Sequence, residues 1–207
     1  MHVYDEKQGH ALVKAARNSI EFYIMNPNFK KETIQETLEE FEKPHGVFVT
    51  LEHYPTRELR GCVGFPRALG PLKESVIDAA IAAAFEDLRF VSVSKPELGD
   101  LLVEVSVLSE LTQIVGSAKK RLDSIEVGRD GLMVQYGMYS GLLLPIVAVE
   151  QKWTKKKFLE ETCIKAGLHA DYWSQPNVKI YKFETQVFRE EEPGGKIKEV
   201  EFNTIKD

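Results

Sequence analysis

The chain has 207 residues, of which 43% are hydrophobic and 29% charged, enough apolar content for a sizeable core and outside the range of disordered sequences. Its 32 acidic residues outnumber 27 basic ones for a net charge of -5, which argues against bulk attraction to nucleic acid or an anionic membrane and leaves only a local basic pocket for such a partner. The longest apolar runs, residues 79–85 and 141–149, fall short of the ~18–20 residues of a membrane span, and the opening Met1-His2-Val3-Tyr4-Asp5-Glu6 carries no secretory leader, so a cytoplasmic location is expected.

Apolar residues at Leu12, Ala16, Ile20, Tyr23 and Ile24 predict an amphipathic helix over 6–25, stopped by Asn26-Pro27-Asn28. A more acidic helix is expected over 32–41. Residues 47–51 and 58–65 read as neighbouring strands separated by a polar segment with Pro55. Gly70-Pro71 opens a helix running to 86, and its Ala79, Ala80, Ala82, Ala83 and Ala84 allow close approach to a sheet. Residues 101–108 alternate, with Val103, Val105 and Val107 on one face and Glu104 and Ser106 on the other, the pattern of a half-buried strand. Turn signals at 128–131 and 136–141 predict two hairpins, the second feeding a strand over 142–145. A helix over 155–166, closed by Gly167, and a single strand over 178–188 complete the elements.

Helices and hairpins interspersed without a βαβ rhythm imply an α+β fold, two lobes with mainly antiparallel sheets flanked by helices. Residues 1–190 are expected to form one domain of two interlocked lobes, and 191–207 a charged C-terminal tail. Neither GxGxxG nor Walker A spacing is present.

The segment Leu59-Arg60-Gly61-Cys62-Val63-Gly64-Phe65-Pro66-Arg67 stands apart. In a strand, Arg60 and Cys62 share a face, and a guanidinium beside a thiol favours the nucleophilic thiolate. Gly61 and Gly64 leave the backbone bare for a ligand or another chain segment. Beyond them, Arg67 and the free amides at the helix start near Pro71 would suit an anion. The structural alternative is a filler cysteine, glycines at a tight crossing, and Arg60 paired with a carboxylate such as Glu104. Glu104 can orient Arg60, serve as a base or sit in a salt bridge. Arg89, just past the alanine-rich helix, can cap its carbonyls or join Arg67 in holding an anionic substrate.

Cys163 falls on a helix stripe with Phe158, Leu159, Thr162 and Ala166 and reads as core. The five histidines do not pair at metal-ligand spacing, so neither metal nor other cofactor is expected. Lys155-Lys156-Lys157 reads as a solvated face. Gly61-Cys62-Val63-Gly64 also satisfies the GXXG pattern of KH domains, but that loop joins helices, whereas this one lies in strand-like sequence.

The run Leu59-Arg60-Gly61-Cys62-Val63-Gly64 resembles the LRGCIG signature of the AMMECR-type domain family, with Val63 for the usual isoleucine. Residues 46–51, Asp87-Leu88-Arg89-Phe90, Pro96-Glu97-Leu98, 103–108, Gly141-Leu142-Leu143-Leu144-Pro145, Trp153 and 158–168 also resemble it, in the same order. The resemblance implies two α+β lobes with the signature near a cleft. Because prokaryotic members are often fused to, or encoded beside, Memo-like and radical-SAM proteins, it also implies a shared modification pathway with such partners.

Two functions are therefore carried forward. One is an enzyme or enzyme accessory in which Cys62, Arg60 and Glu104 act on a small or macromolecular substrate held by Gly61, Gly64, Arg67 and Arg89. The other is a non-catalytic module whose Gly61/Gly64 cleft receives a peptide or nucleic-acid segment.

Overall fold

Asp5 starts the first helix of this computed structural model, which describes residues 3–200. Its carboxylate accepts the Gln8 amide at 2.8 Å, and the Gln8 side chain accepts the Asp5 N–H at 3.0 Å. This reciprocal box satisfies two otherwise free donors at the start of α1 (Glu6–Met25). Leu12, Val13, Ala16 and Ile20 of α1 are buried. The acidic helix expected over 32–41 is shorter: α2 (Glu32–Gln35) tightens into a 3-10 turn, Glu36–Leu38. There the Thr37 hydroxyl bonds back to the Ile34 carbonyl at 2.7 Å, a local competitor of helix propagation.

The chain divides into two compact units. The first joins the chain up to Leu108 with the returning segment Gln186–Val200. Its sheet has the order β2-β1-β3-β8-β9, with β1 (Gly46–His53) antiparallel to both β2 (Leu59–Phe65) and β3 (Leu101–Leu108), and with β8 (Thr185–Glu190) and β9 (Ile197–Glu199) beyond β3. Val47, Val49, Leu51, Val103, Val105 and Val107 form one face, buried with α1 and α3 (Leu72–Phe85) in a single apolar core. The alanines of α3 are all buried, as the close approach they permit requires.

The strand expected over 178–188 is two strands in different sheets, β7 (Lys179–Phe183) and β8 (Thr185–Glu190). Glu184 interrupts it: its N–H donates to Ser109 Oγ and its carbonyl accepts the Ser109 N–H, both at 2.9 Å. Alternation reports which face a side chain takes and says nothing of which sheet a strand joins. The start of the expected tail is also ordered. Residues 191–196 turn back into β9 (Ile197–Glu199), which pairs with β8 and buries Ile197 among otherwise charged neighbours. Residues 201–207 of that expected tail lie outside the described residues.

One ion pair ties these pieces together. Glu190, 2% exposed, accepts Arg17 Nε and Nη2 at 2.5 Å each and the Val103 N–H at 2.9 Å, while Arg17 also donates to the Leu101 carbonyl at 2.6 Å. It links α1, β3 and β8.

The second unit, Ser109–Thr185, has an antiparallel sheet ordered β4-β7-β5-β6, with β4 (Thr112–Ile114), β5 (Gly131–Tyr136) and β6 (Tyr139–Leu143). Phe158, Leu159 and Cys163 of α6 (Lys155–Lys165) share its core with Leu132, Val134, Ile180 and Trp173. The second expected hairpin is present, with Tyr136 opposite Tyr139 across Gly137 and Met138. The first is absent. A helix, which we number α4 (Ala118–Asp123), precedes Gly131, and the intervening turn is closed by Asp130, whose carboxylate accepts the Glu126 N–H at 2.9 Å. Pro145, expected at a strand end, instead opens α5 (Pro145–Glu150) at its first turn. Gly167, with φ +76, follows α6 as expected. Among the described residues no helix is long and apolar enough to cross a membrane.

Replacing Glu190 with alanine leaves a largely buried guanidinium with the longer, 3.5 Å pair to Glu21, so Glu190→Ala is expected to lower unfolding stability by up to about 3–5 kcal/mol. Urea denaturation followed by circular dichroism measures it; a midpoint unchanged from wild type contradicts a structural role for the pair.

Candidate functional site

β2 is the outer strand of the first unit's sheet, and its geometry follows from Gly61. A Cβ at that position would stand 2.2 Å from the Ala83 carbonyl oxygen, closer than any real contact, so only glycine lets α3 lie against the strand here. With Ala83 seated on Gly61, the residues just past the end of α3 fall beside Cys62. Asp87 accepts the Cys62 N–H at 2.9 Å, and Arg89 Nη2 donates to the Cys62 carbonyl at 3.3 Å. The two side chains also pair with each other at 2.6 Å. They occupy the backbone groups that an edge strand would otherwise offer to another strand.

The side chain of Cys62 heads a polar row across the sheet. Cys62 lies opposite Thr50 on β1, and Thr50 opposite Glu104 on β3. The Thr50 hydroxyl donates to Cys62 Sγ at 3.4 Å, and Arg189 Nη1 lies 3.4 Å from Glu104 Oε2. The pattern of β3 placed Glu104 on this face correctly. Thr50 and Arg189 were not legible, because only strand pairing brings them into line with it.

Arg60 is not in that row. The β1–β2 register shifts between Leu51 and Glu52, so that Leu51 faces Gly61 while Glu52 faces Leu59, leaving Arg60 as the extra residue of a bulge. It is 5% exposed and donates to Glu97 at 2.9 Å and to the Val91 carbonyl at 2.8 Å, with its guanidinium 5.9 Å from the Phe90 ring centroid. The expected same-face pairing of Arg60 with Cys62, and the alternative pairing with Glu104, are both replaced: Arg60 takes Glu97, and Glu104 takes Arg189. A one-residue bulge is enough to redirect a side chain across a sheet.

The remaining expectations separate as clearly. At Gly64 a Cβ would meet the Val47 carbonyl oxygen at 2.2 Å, so the protein's own backbone fills that side too. Arg67 is exposed in the loop after β2. The amides at the start of α3 are not free for an anion: Leu72 and Lys73 donate to the Lys43 and Phe41 carbonyls, and Glu74 and Ser75 to that of Pro71. Cys163 is fully buried, and Lys156 and Lys157 pair with Glu160 and Glu161 on an exposed helix face. Among the described residues no group of three His, Cys, Asp or Glu side chains is arranged to hold a metal.

The electrostatics of Cys62 oppose ionisation. Burial pushes its thiol up, and the Glu104 and Asp87 carboxylates push the same way, outweighing the Thr50 hydrogen bond and the Arg89 charge. Asp87 is held well below the usual carboxylate range, chiefly by the Arg89 side chain and, against its burial, by the Cys62 and Arg89 backbone amides. Burial alone would raise Glu97, but hydrogen bonds from Arg60 and Ser94 bring it down to about 2. Cys163 is pushed up to about 11, chiefly by burial. The site thus holds a neutral thiol between two ionised clusters, with Arg89 half exposed beside it.

Two outcomes follow. Alkylation of Cys62 is expected to outpace that of Cys163 and to rise with pH through an apparent pKa above that of a free cysteine; Glu104→Gln lowers that pKa and Arg89→Ala raises it. Labelling rates read by mass spectrometry check this, and a Cys62 pKa below the free value contradicts the burial argument. Gly61→Ala is expected to cost about 1–3 kcal/mol of stability through overpacking against Ala83, measured as a fall in the urea midpoint; an unchanged midpoint would mean that α3 is not held at this crossing.

Comparison with known proteins gives a consistent answer. The AMMECR1 family matches residues 13–188. A protein of Thermococcus gammatolerans is 46% identical over 201 residues, covering 96% of this chain and 98% of its own. Protein MJ0810 of Methanocaldococcus jannaschii is 44% identical over 198 residues, covering 95% and 97%. The crystal structure of uncharacterized protein PH0010 from Pyrococcus horikoshii, 44% identical, superposes with a TM-score of 0.91 over 98% of this chain and 100% of that one. Sequence and fold agree along nearly the whole length, and the chain belongs to the AMMECR1 family.

Proposed function

We propose that this chain is a cytoplasmic enzyme, or an accessory to one, whose working surface is the polar sheet face at Cys62. The observation that carries this reading is the continuous row Cys62, Thr50, Glu104 and Arg189 on the face opposite the apolar core, with Arg89 half exposed at its end. Cys62 is the group that touches the substrate. Arg89 engages an anionic group on it and is the guanidinium beside the thiol, the place expected of Arg60, which is committed to Glu97. Glu104 and Thr50 are positioning residues that set the proton affinity of the thiol. The substrate is a small molecule or a modified macromolecular residue, and the family resemblance supports a place beside Memo-like and radical-SAM proteins in one modification pathway.

One observation favours a second reading, a non-catalytic protein-binding module. Leu88 is fully exposed and Val91 81% exposed, on either side of Arg89 and Phe90. That reading moves the binding surface from the glycines, whose open sides the backbone fills, to residues 88–91.

Alkylation of Cys62 in the presence of fractionated small metabolites separates the two. The enzyme reading expects a fraction that slows alkylation saturably, with protection weakened at least about tenfold in Arg89→Ala while the fold is retained. If no fraction protects, and a purified Memo-like protein instead binds wild type but not a Leu88→Glu, Val91→Glu double variant, the module reading replaces it.

A further inference from the structure

Arg121, in the second unit, is a buried cation that no ion pair among the described residues neutralises. It is 4% exposed and donates to the carbonyls of Trp173, Gln175 and Val178, the last two at 2.9 and 3.0 Å. Those bonds explain where the side chain sits. They do not balance its charge: among the described residues no carboxylate pairs with it, and its Nε has no partner at all. Arg17 in the first unit shows the usual solution, a buried guanidinium neutralised by Glu190. Burying an unpaired charge is costly, and an anion brought close to it recovers part of that cost.

Arg121 lines a groove of about 310 Å³ between the end of β4 and the start of β7. Lys179 lines it too, exposed and outside every ion pair among the described residues, and the Gln113 and Asn177 amides add neutral donors. Gly116, at φ +129, forms the bend beside them. Among the described residues no acidic side chain lines the groove, although the chain as a whole is acidic. Two cations, two side-chain amides and no carboxylate match a compact anion with several acceptor oxygens, and low-dielectric walls strengthen the attraction.

We propose that this groove is a binding site for a phosphate group, carried by a small ligand or free, separate from the Cys62 surface and independent of its role. Lys179 and the two amides contact the oxygens, and Arg121 supplies the fixed positive field behind them. Because Arg121 also holds three carbonyls, Lys179→Glu and Asn177→Asp, both at exposed positions, are the deciding variants. Titration of the full chain with inorganic phosphate at low salt, followed by amide NMR, is expected to give saturable shifts centred on residues 113–117 and 176–179. Each variant is expected to weaken binding about tenfold or more without changing the rest of the spectrum. Shifts that do not saturate, or that survive unchanged in both variants, overturn the site; acetate producing the same shifts at the same concentration overturns its assignment to phosphate.

Discussion

The contact of Gly61 with the Ala83 carbonyl sets most of what surrounds Cys62. It draws α3 onto the edge of the sheet, and α3 is then long enough to deliver Asp87 and Arg89 to the two backbone groups of Cys62 that β1 leaves unpaired. A larger residue at 61 would lift the helix and carry that pair away with it. The run of alanines in α3 serves the same end from the other side, since larger side chains there would hold the helix off the sheet. One packing constraint thus orients a helix, closes a sheet edge and fixes the environment of a cysteine.

That environment is arranged by hydrogen bonds more than by charge. Asp87 and Arg89 largely satisfy each other, so the net field they place on the thiol is small, and burial decides its protonation. Arg60 has the charge to change this, but the bulge turns it toward Glu97, Val91 and Phe90. There it steadies the loop between α3 and β3, the same loop that carries Asp87 and Arg89. Its influence on Cys62 is therefore structural, through the loop, and not through direct ionisation of the thiol.

The two buried arginines mark opposite uses of the same side chain. Arg17 is matched by Glu190 and welds elements of the first unit that lie far apart in sequence. Arg121 is held by carbonyl dipoles, which gather the chain between the 3-10 turn Ala170–Ser174 and β7 but leave a positive charge beside a groove that no acid among the described residues lines. Their sequence contexts give no hint of this difference, because a guanidinium's partners are chosen by tertiary proximity.

Periodicity determined what periodicity reports: the extent of α1, the strand Leu101–Leu108 with its valine face inward, the helix closed by Gly167, and an α+β class with antiparallel sheets. The family was legible as well, since its motifs are contiguous runs in a fixed order. Side-chain partnerships were not. Arg60 left Cys62 because a bulge inserts one residue, and Glu104 found Arg189 because a strand from the far end of the chain returns to the same sheet. The single strand expected over 178–188 divides between two sheets for the same reason. Local sequence fixes which face a residue presents; which neighbour that face meets depends on strand register and chain return, which are settled only when the whole sheet assembles.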